Sequence, residues 1–138
     1  MTRRVVLISC ASRKLSVRAK AQDLYVSTLF KLNLKYAQKL EPDNIFILSA
    51  KHGLLSLAEE IEPYELTLNN MYANEIKQWA DQVLKQISEI YSIEETIFIF
   101  LAGEKYRKYL LPHLKNIQIP LEGLGIGKQL QKLKELVS

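Results

Sequence analysis

Apolar and polar positions alternate between two rhythms along this chain. Four short apolar runs read as buried strands: Val5–Ser9, Asn44–Leu48, Thr96–Leu101 and Asn116–Ile119. The first three are nearly continuous in Val, Ile, Leu and Phe, as in strands covered on both faces. Between them the apolar positions step by three and four. Val26, Phe30, Leu34, Ala37 and Leu40 predict one helix, and Ile76, Ala80, Val83, Ile87 and Ile90 a second, with Trp79 beside them. A shorter helix is expected from Glu104 to about Leu111, ending near Pro112, and a last one from about Lys128 through Val137. Asp23 is read as the cap of the first long helix.

The order is βαβαβαβα. Right-handed crossovers turn it into a three-layer α/β/α sandwich with a mainly parallel four-stranded sheet. One α/β domain spanning 1–138 is expected. The segment 53–70 breaks the rhythm, because it separates the second strand from its helix by far more than the usual connection. It carries Leu54, Leu55, Leu57, Ile61, Tyr64 and Leu66, which suits a lid or binding loop, or equally a short extra helix packed on the core.

Composition narrows the class. Hydrophobic residues make up 48% and charged residues 25%, a balance that supports a core and argues against disorder. No apolar run approaches the roughly 20 residues of a membrane helix. The apolar run after Arg4 stops at Ser9, too early for a signal peptide. The single cysteine leaves no internal disulfide, and a cytoplasmic location is expected. The net charge of +4 is compatible with a nucleotide or nucleic-acid partner and is weak evidence for one. No membrane partner is expected, and a homodimer stays open.

Ligands of open parallel sheets bind beyond the carboxyl ends of the strands. The unusual residues fall there. Ser9, Cys10, Ser12, Arg13 and Lys14 follow the first strand; Ser49, Lys51, His52 and Gly53 follow the second. Gly103, Glu104 and Tyr106 follow the third, and Glu122, Gly123, Gly125 and Gly127 the fourth. Cys10 is either inert packing or a nucleophile activated by neighbouring positive charge. His52 suits a general acid or base, or a cap on the strand end. The glycine turn before Lys128 suits a phosphate or base, or simply a tight turn. It matches neither the nucleotide-triphosphate nor the dinucleotide fingerprint, and no cofactor is expected. Tyr25, Tyr64 and Tyr106 could stack on a base or pack in the core, and Ser27 stands beside Tyr25. Two histidines and one cysteine, far apart, give no metal-site spacing.

Several blocks occur together: Ser9-Cys10-x-x-x-Lys14, Leu24-Tyr25-x-Ser27-x-x-Phe30, Ser49-Ala50-Lys51-His52-Gly53-Leu54, Pro63-Tyr64, Ala102-Gly103-x-x-Tyr106 and Pro120-Leu121-x-Gly123-Leu124-x-Ile126-Gly127. This combination resembles the prokaryotic domain-of-unknown-function family 6884 along nearly the whole chain. That family is similar to the core of archaeosine synthase and to an enzyme that hydrates the nitrile of a 7-deazaguanine base. The synthase pattern Pro-Cys-Ser-x-x-Lys-Pro-Tyr is not kept: Ser9, Ala11 and Leu15-Ser16 replace its Pro, Ser and Pro-Tyr. The resemblance implies an enzyme acting on a modified (deaza)purine base, nucleotide or nucleic acid. Cys10 would be its nucleophile, with Lys14, Lys51, His52 and Glu122 moving protons. A base-excising glycosidic hydrolase is the alternative enzyme, using His52, Glu104 or Glu122 to activate water. A non-catalytic nucleotide or nucleic-acid-binding domain is the third reading.

Overall fold

The computed structural model describes residues 2–138. Strands β1 (Arg3–Ser9), β3 (Asn44–Ser49), β4 (Gly53–Ser56), β6 (Thr96–Leu101) and β7 (Asn116–Gln118) form one sheet in the order β4-β3-β1-β6-β7. β1, β3, β6 and β7 run parallel, and β4 pairs antiparallel with β3. The predicted sheet of four strands therefore has five, and one edge of it is antiparallel.

The near-continuous apolar runs have the expected cause. Val6, Ile8, Ile45, Ile47, Ile99 and Leu101 face one layer, where helices α2 (Thr28–Lys39) and α5 (Ile126–Val137) lie. Val5, Leu7, Phe46, Leu48, Phe98 and Phe100 face the other, beneath helix α3 (Ala73–Ile90). Alternation along each strand feeds both cores. β7 departs from the expectation of a buried strand, since all three of its residues are exposed at the sheet edge.

The Gly53–Asn70 segment is not one loop. Its first four residues are β4, which returns along β3 through the three-residue turn Ala50-Lys51-His52. Gly53 has φ +71°, the left-handed conformation that closes such a turn and that glycine adopts without strain. Gln86 on α3 clamps the hairpin: its Oε1 accepts from Leu54 N (2.9 Å) and its Nε2 donates to the His52 carbonyl (3.3 Å). Next, β5 (Glu60–Ile61) pairs antiparallel with β2 (Ala19–Lys20) in a separate two-residue ladder. A single 3₁₀ turn, Leu68–Asn70, completes the segment and buries Leu68.

The first long helix is capped by Ser27, not Asp23: Ser27 Oγ accepts from Phe30 N at 3.1 Å. Asp23 lies instead in the one-turn helix α1 (Ala21–Leu24). The third helix is also shorter than expected. α4 (Glu104–Arg107) is followed by the separate 3₁₀ turn Leu111–His113, which holds Pro112.

The chain crosses from β1 to β3 on one side and then, through α3, to β6 on the other. The order of strands thus reverses between β1 and β6. Crevices open at such points beyond the carboxyl ends.

Candidate functional site

Cys10 is the first residue past β1, held to the ladder by its backbone N–H, which donates to the Leu48 carbonyl at 3.1 Å. Tyr106 stands in α4, just past β6. The reversal of strand order puts them side by side: Cys10 Sγ donates to Tyr106 Oη across 3.4 Å. They share a cavity of about 390 Å³ with Ser12, Lys14, Tyr64 and Thr67. That volume is in the range of small-molecule sites. One wall is the end of the 53–70 segment, which adds Glu65, Leu66, Asn69 and Asn70.

Lys14 enters through backbone pairing. It forms an isolated antiparallel bridge with Tyr25, while Leu15 N donates to the Leu24 carbonyl at 2.9 Å. Its ammonium lies 4.5 Å from the Tyr64 ring centroid and 5.7 Å from that of Tyr25. Both are within cation–π reach. Burial lowers the Lys14 pKa, against the opposing pull of Cys10 and Glu65. A lysine shifted this way gives up its proton more readily than one in water.

Behind the cavity lies a chain of hydroxyls. Ser49 Oγ accepts from Lys51 N (3.3 Å) and His52 N (3.0 Å), capping the hairpin turn. With both acceptor positions used, its proton goes to Tyr64 Oη, 2.7 Å away. Tyr25 Oη lies 2.6 Å from the same oxygen. The hydroxyls of Ser49, Tyr64 and Tyr25 therefore bring one more proton than the contacts among them use. Tyr25 is 1% exposed and Tyr64 9%, and Tyr64 lines the cavity, so Tyr64 is the member placed to deliver it. Burial, and next to it the charge of Cys10, raises the pKa of Tyr64 and of Tyr106. Burial likewise pushes Tyr25 up to about 12. All three phenols are neutral donors at physiological pH.

Tyr106 is held from two sides. Leu68 N donates to its hydroxyl at 3.4 Å, and the Trp79 ring meets its ring edge-on with centroids 5.6 Å apart. Trp79 Nε1 in turn donates to the Ser49 carbonyl at 2.8 Å.

A second cavity of about 400 Å³ adjoins the first and shares Cys10, Asn69 and Tyr106 with it. Ser9, Gly103, Glu104 and Asn33 line it, as does the start of α5 through Ile126 and Gln129.

The remaining expected residues stand apart from both cavities. Lys51 and Glu122 are exposed and line neither. Gly53 serves the hairpin, and Ser27 serves the helix cap. Gly123 has φ +82° in the turn before α5, Gly125 is that helix's N-cap, and Gly127 lies in its first turn. Tyr25 packs on Phe30 with centroids 5.2 Å apart and presents no free face for a base.

His52 is one side chain removed from the cavity, its ring edge-on to Tyr64 at 5.7 Å. Burial, and then Lys51, lowers its pKa, with Glu59 opposing. The folded state thus takes up a proton here less readily than the unfolded chain. Stability is full above 6.5 and falls as pH drops from there through the depressed folded value. Thermal melts should show this decline, and His52→Gln should flatten it. Identical pH profiles for the two proteins would remove the assignment.

Glu65, Thr67, Asn69, Asn70 and Asn33 join the site without having been singled out from the sequence. The first four flank Tyr64 on a segment already marked as unusual. Asn33 could have been noticed as a polar residue on the apolar stripe of its helix, between Phe30 and Ala37. No helix among the described residues is long and apolar enough to cross a membrane.

No curated protein and no solved structure matches the chain. One family model does, over residues 5–135, and it describes a family of unknown function, DUF6884. That span holds the Cys10 and Lys14 block, the Ser49–Leu54 hairpin, Tyr106 and the glycine turn. The chain belongs to the DUF6884 family.

Proposed function

We propose that this chain is an enzyme that acts on a modified purine base, free or as a nucleotide or within nucleic acid, through nucleophilic addition by Cys10. The observation that carries the reading is the meeting of Cys10, Tyr106 and Lys14 on one cavity of about 390 Å³. A nucleophile, a phenol in hydrogen-bond reach and a cation of lowered pKa form a constellation for covalent catalysis. The choice of a nitrile as electrophile follows the expectation that the family is related to nitrile-processing enzymes of 7-deazaguanines.

For a nitrile the steps balance as follows. The Cys10 thiolate adds to the nitrile carbon, and one carbon–nitrogen π pair becomes the new N–H bond, with the proton supplied by the Lys14 ammonium. The product is a thioimidate. Neutral Lys14 then takes a proton from water as the oxygen adds to the same carbon. The remaining carbon–nitrogen π pair moves to nitrogen, which receives that proton back from Lys14. The new hydroxyl gives its own proton to Lys14 as the carbonyl forms. The carbon–sulfur bond breaks, the thiolate leaves, and a carboxamide remains. The net change is nitrile plus water to amide. Tyr106 and Tyr64 donate to the sulfur and to the developing negative charge, where fixed dipoles contribute most. Glu65 lines the cavity and can also receive the proton of the attacking water. Glu122 and Lys51, outside it, have no part in these steps.

The test offers 7-cyano-7-deazaguanine as free base, nucleotide and oligonucleotide, and follows mass. The expected product has gained one water. Release of free base with the nitrile intact would replace this reading with glycosidic hydrolysis. Salt-dependent nucleic-acid binding without any turnover would replace it with a binding module.

A further inference from the structure

We infer that the second cavity is a sugar subsite, which takes a ribose ring with its 2′ and 3′ hydroxyls both free. The inference rests on the proposed purine substrate only for the identity of the base. It narrows that substrate to a free nucleoside or nucleotide.

The first observation is Asn33. It stands on α2 between Phe30 and Ala37, on the face that packs toward the sheet, and is 4% exposed. Its Oδ1 is buried with no hydrogen-bond partner among the described residues. This atom is an acceptor, so whatever completes it must bring a donor. A buried carbonyl oxygen without a partner lowers stability, and leucine would fill the same position at no polar cost. Asn33 therefore calls for a partner outside the folded chain. It lines the second cavity, where a ligand can supply one.

The second observation is the charge around the same cavity. Glu104 lines it, and its carboxylate takes part in no ion pair among the described residues. It is a second acceptor, and an anion brings a donor to neither. A cation fares no better. Lys105 lines the cavity, its Nζ donating to the Asn69 carbonyl at 3.4 Å. Ile126 lines it too and begins α5, whose N-terminal end is the positive pole of that helix.

A neutral group with two donors meets both limits. Vicinal hydroxyls are such a group: one donates to Asn33 Oδ1 and its neighbour to Glu104, while their oxygens still accept. Leu29, Leu101 and Ala102 give the cavity an apolar wall that suits the carbon face of a sugar ring. Its volume of about 400 Å³ has room for one. The two cavities meet at Cys10, Asn69 and Tyr106. A nucleoside would place its base in the first and its ribose in the second. An internal residue of a nucleic-acid strand has its 3′ oxygen esterified and cannot make both contacts.

Methyl β-D-ribofuranoside, titrated up to its solubility limit, should shift the side-chain amide resonances of Asn33 and the backbone amides of Glu104 and Ile126 more than any others. This probe carries no base, so its result does not depend on the purine reading. The ribonucleoside of 7-cyano-7-deazaguanine should bind at least about tenfold more tightly than the free base. Asn33→Leu should lose most of that preference while its melting temperature holds or rises, because the orphaned oxygen is gone. Glu104→Ala is a second variant, at an exposed position where the fold does not depend on the side chain, and should lose part of it. Either the 2′-deoxy or the 3′-deoxy nucleoside lacks the hydroxyl that meets Asn33. That analogue should bind the wild type about fivefold or more weakly than the parent, and bind Asn33→Leu equally well. A 3′-O-methyl nucleoside mimics the linkage of a strand and should also bind more weakly than the parent. Equal affinity for base and nucleoside, largest shifts elsewhere, or full affinity of the 3′-O-methyl nucleoside would overturn the inference. So would an unchanged preference in both variants, the result expected where water alone serves Asn33. Nitrile hydration of the free base would survive that outcome. Conversely, ribofuranoside shifts at Asn33 would survive the absence of nitrile hydration.

Discussion

Cys10→Ala is expected to lower kcat/KM on any accepted substrate by roughly a thousandfold or more, on the proposed mechanism. The size follows from the role of the thiolate. Covalent addition divides a hard hydration into two easier steps, and alanine leaves only uncatalysed attack by water within a binding pocket. Cys10→Ser should be nearly as poor, because a hydroxyl is a much weaker nucleophile without a dedicated base. Neither change should unfold the protein. Cys10 is partly exposed at a strand end, and among the described residues its side chain hydrogen-bonds Tyr106 alone. Melting temperature therefore separates loss of chemistry from loss of fold. A covalent intermediate should be trapped by mass spectrometry in the wild type and be absent from both variants. Undiminished turnover by Cys10→Ala would end the mechanism.

The largest loss of stability is expected from Trp79→Ala, about 4 kcal/mol. Trp79 is 6% exposed at the centre of the α3 face of the core. Its removal leaves a cavity there, and orphans the Ser49 carbonyl that its Nε1 satisfies. For a chain of 138 residues the melting temperature should fall by roughly 10–20 °C. Trp79→Phe separates the two contributions. It keeps most of the apolar contact and should cost only about 1–2 kcal/mol, mainly for the unpaired carbonyl. The indole touches both Ser49 and Tyr106, so on the proposed mechanism Trp79→Phe should also reduce turnover more than its stability loss accounts for. A chemical melt of each variant, with activity measured well below the transition, tests both statements. A Trp79→Phe protein as stable as the wild type would show that the indole N–H contributes little.

Much of this was legible in the sequence. β1, β3 and β6 declare themselves because both faces of each are buried, which forces unbroken apolar runs. β4 was hidden. Gly53-Leu54-Leu55-Ser56 has too few residues for a period, and a glycine at its head reads as a turn. The two-residue ladder of β2 with β5 is set wholly by where the chain returns, not by local preference. The same limit applies to the site. Cys10, Lys14, Tyr64 and Tyr106 were visible as chemistry at strand ends or in an odd segment. Glu65, Thr67 and Asn69 were ordinary polar residues until the fold laid them over Cys10. Lys51 and Glu122 lie in the right turns, but their side chains face solvent.

The pairing of Cys10 with Tyr106 joins residues 96 positions apart. Cys10 leaves the ribosome before Tyr106, which follows only after β6 has been made. The strand reversal that juxtaposes them requires β6 to dock beside β1, a late and non-local event in any order of folding. Until then the chain holds a thiol but no cavity and no neighbouring phenol. On the proposed mechanism, addition by Cys10 is thus tied to completion of the sheet, and a nascent or partly unfolded chain would not perform it.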